Sequence, residues 1–163
     1  MVRIVCTPML AALLLAMTVL AQETSPELPV APAFSAFPDR KLMQEIMDAW
    51  ATLNPHSAAK YYDQSPKNVF FDDAGGVKFV GWQAYEGGLR KVMASEQQAK
   101  WAVNDDAVVH AAGRYAWGTA TVHAEYVAKD GSRQSMEERW TLIWANRGGK
   151  WLVVHEHFSA SPR

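Results

Sequence analysis

This sequence has almost no cysteine, no marked excess of positive or negative charge, and no long apolar run. The 163 residues include one cysteine, Cys6, which lies before the first apolar run. We therefore expect no disulfide, thiol nucleophile or cysteine metal site in the rest of the chain. The 16 basic residues nearly balance the 17 acidic ones. Without excess positive charge the chain is expected to have neither nucleic acid nor an acidic membrane as a partner.

The N-terminal apolar run is too short to span a membrane. It extends from Met9 to Leu20, about twelve residues, whereas a spanning helix needs roughly 20. Arg3 precedes the run and the ending Val19-Leu20-Ala21 closes it, which is the pattern of a signal peptide. We expect residues 1–21 to direct export, so that the protein is secreted or periplasmic. An uncleaved membrane anchor is the alternative.

The segment that follows is rich in proline. Residues 22–38 contain four of the eight prolines and have little amphipathic pattern. Such a segment has no apolar face to bury, so it is expected to form an extended, flexible arm. The remaining residues, 39–163, have the size of one domain.

Three helices are predicted in the first part of this domain. Asp39 is placed as an N-cap, and apolar residues follow it at spacings of three and four as far as Trp50. Asn54-Pro55 has the form of a cap and a first-turn proline, which indicates a second, short helix. A third helix is expected from Gly81 onward, although Gly87-Gly88 interrupts its apolar pattern.

Period-two alternation predicts strands in the second half of the chain. A short strand over 68–72 lies between the second and third helices. Tight turns such as Lys129-Asp130-Gly131 then separate long strands, which indicates an antiparallel meander. Helices followed by a sheet are typical of an α+β fold in which the helices cover one face. The predicted strands of this meander are 98–110, 114–128, 133–146 and 150–160.

Several motifs resemble the SnoaL-like group of the nuclear transport factor 2-like superfamily. They are Tyr61-Tyr62-Asp63, the strand 69–72 followed by Gly81-Trp82, and the ending 149–159. The same fold is found in ketosteroid isomerases and in the association domain of calcium/calmodulin-dependent kinase II. The resemblance implies three N-terminal helices packed on a strongly curved, mixed and mainly antiparallel sheet that forms a cone with a pocket. Because this fold carries enzymes, binding modules and assembly domains, it does not define a function.

Strand alternation divides the side chains of the sheet between two faces. The face that carries Ala116, Trp140 and Phe158 is expected to line the pocket. Glu156 is a carboxylate on the same face, and burying it is costly unless it is paired or protonated. A structural ion pair between Glu156 and Arg114 is the alternative to a functional role. The predicted ligand-binding residues are Tyr62, Trp82, Val122, Trp140, Leu142 and Phe158.

The opposite face is expected to form a homodimer contact, because large aromatic side chains beside polar groups suit an interface. A second hypothesis for this face is a metal site. His155 and His157 are two residues apart and would point the same way, with His123 or Glu125 as a further ligand. We favour the structural role, so neither a metal nor another cofactor is predicted. The predicted interface residues are Trp117, Arg139, Trp151, His155 and His157.

Asp72 is the principal catalytic candidate. Its distance along the chain from Gly81 resembles the spacing around the catalytic base of ketosteroid isomerases, and a carboxylate at the rim of an apolar pocket can remove a proton next to a carbonyl. The alternative is an Asx turn that opens the following loop. The first helix lacks the tyrosine of those enzymes and Trp140 stands at the position of their acid, so the donors of an oxyanion hole are missing.

The sequence thus favours a secreted small-molecule-binding domain with an apolar, aromatic pocket and an unidentified organic ligand. Val122, Leu142 and Phe158 stand where the kinase association domain has arginines, which disfavours a small acidic ligand. One alternative is an isomerase, cyclase or hydratase with Asp72 as general base and Glu156 or Tyr62 as acid. The other alternative is a homo-oligomeric assembly module without a ligand.

Overall fold

The computed structural model describes residues 37–73 and 77–160. The predicted signal peptide and residues 22–36 of the predicted arm lie outside this part of the chain. The last residue of that arm, Pro38, is buried, and the ring of Phe37 lies 5.6 Å from that of Trp151. The end of the arm is therefore attached to the domain. No helix in the described part is long and apolar enough to cross a membrane.

The first two helices lie where the sequence predicts them. Helix α1 is Arg40–Trp50, and the Asp39 side chain caps it by accepting from the backbone N–H of Leu42 at 2.9 Å. The second predicted helix is a 3₁₀ helix, Pro55–Tyr61, which begins after the cap residue Asn54. Both helices bury their apolar faces in the core.

Helix α2, Trp82–Met93, continues through the two glycines that interrupt its pattern. Gly88 is required there by a close approach, because a Cβ at this position would lie 2.1 Å from the ring of Phe79. Phe79 belongs to strand β2, against which the helix packs. The glycine therefore serves the packing of helix on strand and does not end the helix.

The strands form one seven-stranded sheet, mixed and mainly antiparallel, in the order β2-β1-β7-β6-β5-β3 with β4 also paired to β5. The pairing of β1 with β7 is parallel, whereas every other pairing described is antiparallel. The α+β fold is as expected. The strands are β1 Val69–Asp72, β2 Val77–Val80, β3 Glu96–Val103, β4 Val108–Ala112, β5 Tyr115–Ala128, β6 Arg133–Arg147 and β7 Lys150–Ala160.

Two features of the sheet differ from the prediction. The strand expected over 98–110 is divided into β3 and β4, which pair with successive parts of β5. Between them the Asp106 side chain accepts from the backbone N–H of Thr121 at 3.0 Å and replaces a strand partner. Strand β2 was not predicted, and it pairs with β1 at the edge of the sheet.

A β-bulge in β7 reverses the faces of its first half. Ile143 of β6 pairs with His155, while the next residue, Trp144, pairs with Val153, so Val154 is the extra residue. Trp151 and Val153 therefore join the buried face with Glu156 and Phe158. The placement of Trp151 on the outer, interface face was wrong for this reason.

Candidate functional site

A cavity of about 390 Å³ opens between the helices and the inner face of the sheet. Residues from α1, α2, β1, β3, β5, β6 and β7 line it, so its shape depends on the packing of the whole domain. Its walls are mostly apolar. Cavities of this size and character are typical of small-molecule sites. The aromatic side chains in its wall are Trp50, Tyr85, Trp101, Tyr126 and Phe158.

Asp72 lines the cavity at the end of β1. Its side chain is 9% exposed, and its Oδ2 accepts from the Tyr85 hydroxyl at 3.0 Å. Tyr85 lies on α2 and is fully buried, and burial raises the pKa of its hydroxyl well above the ordinary value. Tyr85 is therefore a protonated donor that holds the carboxylate at the cavity wall. Asp72 is therefore not turned out to solvent; residues 74–76, on which the Asx-turn alternative depends, lie outside the described part of the chain.

Glu156 lies in the core beside the cavity and is fully buried. The Tyr62 hydroxyl lies 2.9 Å from its Oε2, and the indole N–H of Trp140 donates to the same oxygen at 3.1 Å. Trp50 Nε1 donates in turn to the Tyr62 hydroxyl at 2.8 Å. The alternative ion pair with Arg114 does not form, since no described basic side chain bridges to Glu156.

Burial raises the pKa of Glu156 to about 7. The nearby donor groups of Tyr85, Tyr62 and Trp140 lower the pKa, whereas the charge of Asp72 raises it. The Tyr85 hydroxyl has one proton, which it donates to Asp72, while Glu156 lies close enough to influence the pKa of that hydroxyl. These titratable groups lie between the cavity and the interior, where a carboxyl group with a raised pKa can hold a proton.

Glu138 is a second buried carboxylate, and it lines the cavity directly. It is 6% exposed, and its Oε1 accepts from the Tyr126 hydroxyl at 3.2 Å. Burial, together with the charges of Asp73 and Asp72, raises the pKa of Glu138 to about 7. Glu138 was not among the predicted site residues. Alternation from Trp140 along β6 was the available signal, because residues 138 and 140 share a face.

Most of the predicted ligand-binding residues lie in the core. Phe158 lines the cavity, and its ring stacks on Trp140 at 5.2 Å. The other five are buried in the hydrophobic core and do not line the cavity, so the pocket was predicted too deep in the domain. They support the cavity wall from the core side. Trp140, for example, stacks on Phe158, which lines the cavity. These five are Tyr62, Trp82, Val122, Trp140 and Leu142.

The outer face of the sheet carries four of the five predicted interface residues, and three of the four are exposed. Trp117 is 44% exposed, and Arg139 and His157 are exposed as well. His155 is half-buried, and its Nδ1 donates to the carbonyl oxygen of Val69 at 2.7 Å when that nitrogen carries the proton. Trp151, the fifth, belongs to the core.

The hypothetical metal site on this face is not assembled. Strand β6 lies between β7, which carries His155 and His157, and β5, which carries His123. His123 instead forms a 2.6 Å contact with Glu137 through Nδ1. Among residues 37–73 and 77–160, no group of three His, Cys, Asp or Glu side chains is arranged to hold a metal ion.

The sequence model of the SnoaL-like domain family matches residues 40–162. The match covers the described domain, including both ends of the sheet. A comparison with curated proteins gave no significant match. The resemblance drawn from the motifs is therefore confirmed at the level of the family.

Three solved structures illustrate the shared fold. One, from Xanthomonas campestris, is provisionally assigned as a calcium/calmodulin-dependent protein kinase II association domain; it is 24% identical, with a TM-score of 0.65 over 75% of this chain and 84% of that chain. A nuclear transport factor 2-like protein of unknown function from Pseudomonas putida is 26% identical, with a TM-score of 0.64 over 76% and 84%. A provisionally assigned scytalone dehydratase from Novosphingobium aromaticivorans is 11% identical, with a TM-score of 0.65 over 75% and 80%.

Proposed function

The chain belongs to the SnoaL-like domain family, and we propose that it is a secreted domain that binds a small organic molecule in the cavity between its helices and its sheet. The cavity itself is the observation that supports binding over assembly alone. About 390 Å³ of space bounded by five aromatic side chains matches small-molecule sites in size and character. The export signal expected in residues 1–21 supports secretion, and the family resemblance supports a cone-shaped pocket.

A neutral fluorescent probe tests binding. N-phenyl-1-naphthylamine fluoresces more strongly when it leaves water for an apolar site, and it is small enough for the cavity. We expect the protein to bind it and Met136→Trp to weaken binding at least about tenfold, since Met136 lines the cavity and a larger side chain would fill it. Val108→Trp is the control, because Val108 is 48% exposed on β4. Equal binding by both variants would place the probe elsewhere and refute the proposal.

A second candidate function is general-base catalysis by Asp72, as in an isomerase, cyclase or hydratase. The contact between Asp72 and Tyr85 at the cavity wall favours it, and one of the similar structures is assigned as a dehydratase. In this function Asp72 takes the α proton of a carbonyl compound, and the proton returns to the resulting enolate. Glu156 acts through Tyr85 as a positioning residue, since it does not line the cavity.

Deuterium exchange tests this function without knowledge of the natural substrate. In D₂O, a general base in the cavity exchanges the methyl protons of 2-acetonaphthone, which mass spectrometry detects. We expect Asp72→Asn to lower this exchange about 100-fold or more, while the neighbouring Asp73→Asn stays within about threefold of the wild type. Exchange no faster than in buffer would remove the catalytic candidate and leave the binding function intact.

We further propose that a second copy of the chain covers the outer face of the sheet. Its exposed Trp117 and Arg139 are the residue types that dominate interfaces, and one similar structure is assigned as an association domain. Gel filtration at micromolar concentration should show a dimer, and Trp117→Arg should show a folded monomer. A monomeric wild type would contradict this proposal, and the exposure of Trp117 would need another explanation.

A further inference from the structure

Acidic side chains are distributed around the cavity wall. Asp72 ends β1, Asp73 follows it, Glu96 begins β3 and Glu138 lies on β6, so four separate positions bring carboxylates to one space. Of the described residues, no Lys, Arg or His lines the cavity. The carboxylates do not converge on a point suited to a metal ion. Most of the cavity wall is therefore apolar, and the ionisable side chains with a charge in it are all acidic.

Two carboxylate oxygens in this wall have no hydrogen-bond donor. Glu138 is more than nine-tenths buried, and the Tyr126 hydroxyl donates to its Oε1 alone, so that Oε2 has no partner among the described residues. Glu96 Oε2 is buried and likewise unpartnered. A charged oxygen without a protein donor, in a mostly apolar wall, is a group that a ligand N–H can satisfy. Both oxygens belong to side chains that line the cavity.

Aromatic rings stand beside these acids. Trp101 and Tyr126 both line the cavity, in an edge-to-face pair with centroids 5.7 Å apart. Tyr126 is also the residue that contacts Glu138. Aromatic faces attract cations, and the attraction increases where water is excluded. The combination of carboxylate and aromatic face favours a positively charged group and disfavours an anion.

From this juxtaposition we propose that the ligand is an organic cation, a protonated amine whose ammonium group is held by Glu138 beside Tyr126 and Trp101, in a wall to which Glu96 adds negative charge, and whose apolar body occupies the rest of the cavity. The inference rests on the proposed function, that the cavity binds a small molecule, and adds the chemical class of that molecule. A bound ammonium stabilises the ionised form of Glu138, whose pKa is raised by burial and by Asp73 and Asp72.

A matched series of ligands tests the charge separately from the apolar body. The ligands are 2-(aminomethyl)naphthalene, which is protonated at pH 7.5, 2-(hydroxymethyl)naphthalene, which is neutral, and 2-naphthoic acid, which is ionised. Each is titrated against protein loaded with N-phenyl-1-naphthylamine. We expect the amine to displace the probe with a Kd about tenfold or more below that of the alcohol, which is about 1.4 kcal/mol, and the acid to bind most weakly.

The Glu138→Gln variant assigns the preference to a residue. It should bring the Kd of the amine close to that of the alcohol and leave the alcohol unchanged. Glu137→Gln is the matched control, because Glu137 is the adjacent residue on the exposed face of the same strand and should keep the full preference. Glu96→Gln is the second variant, and it should weaken the amine alone.

The outcomes separate this inference from the proposed function. If the alcohol binds as tightly as the amine, or Glu138→Gln and Glu96→Gln both keep the preference, the cation assignment is wrong while small-molecule binding stands. If the acid binds best, the ligand is an anion and the assignment is reversed. If neither the probe nor any member of the series binds, the proposed function itself fails. Where Glu138→Gln does not fold, the wild-type series and Glu96→Gln decide the assignment.

Discussion

Two buried glutamates in neighbouring regions of this domain differ in their hydrogen bonding. Glu156 in the core and Glu138 in the cavity wall each have a pKa raised to about 7, with burial as the main cause. Glu156 is bonded by Tyr62 and Trp140, whereas Glu138 has Tyr126 alone and one oxygen without a donor. Burial and pKa therefore do not distinguish a structural carboxyl group from one that faces a ligand. The number of carboxylate oxygens that have a hydrogen-bond donor does distinguish the two.

Removing each carboxyl group should give the largest difference between the two regions. Glu156→Leu leaves the Tyr62 hydroxyl and the Trp140 N–H buried without an acceptor, and we expect it to lower the free energy of unfolding by about 4 kcal/mol. Glu138→Leu loses one hydrogen bond at the edge of an open cavity and should stay within about 1 kcal/mol of the wild type. Urea denaturation at pH 5 measures both, since both carboxyl groups are then largely protonated. Equal losses would contradict the comparison.

The pH dependence of stability should be the next largest effect. Each glutamate has a folded pKa of about 7 against an ordinary value of 4.5, so the folded state binds more protons between these values. The free energy of unfolding therefore falls as pH rises from about 4.5 to 7, by at most about 3 kcal/mol for each group. The contribution of these two groups to the free energy of unfolding is therefore largest below pH 4.5.

Glutamine substitutions separate the two contributions to this pH dependence. Glu156→Gln and Glu138→Gln should each flatten the fall measured by urea denaturation between pH 5 and 8, and the double variant should flatten it most. Addition of 2-(aminomethyl)naphthalene should reduce the part that belongs to Glu138 alone, because a bound ammonium stabilises that carboxylate. A fall that neither substitution changes would assign the pH dependence to other groups.

The regular elements of the fold were predictable because their apolar spacing is a local signal. Helix α1 and the long strands β5, β6 and β7 follow from it. The bulge at Val154 inserts one residue without changing the apolar character of β7, so strict alternation placed Trp151 on the wrong face. Strand β2 is only four residues long and lies at an edge, which is too short for a clear period.

The candidate site was predictable only in part. Asp72 and Phe158 do line the cavity, and alternation in β6 was enough to place Glu138 beside Trp140. The proximity of Tyr85 to Asp72 depends on how α2 packs over β1, and that of Trp101 to Tyr126 depends on the register of β3 with β5. These contacts arise from tertiary packing, for which the spacing of residues along the chain gives no local signal.

The smallest expected effect concerns the tyrosine donors of the two glutamates. Tyr62→Phe removes a donor to Glu156 and the acceptor of Trp50 Nε1, and both partners are buried, so we expect a loss of about 2 kcal/mol in unfolding free energy. Tyr126→Phe removes one 3.2 Å bond at the cavity wall and should cost less than about 1 kcal/mol. Because this bond lowers the pKa of Glu138, its loss should raise that pKa further, which ¹³C NMR titration of the carboxyl carbon measures. A Glu138 pKa that falls or does not move in Tyr126→Phe would mean that Tyr126 is not its donor in solution.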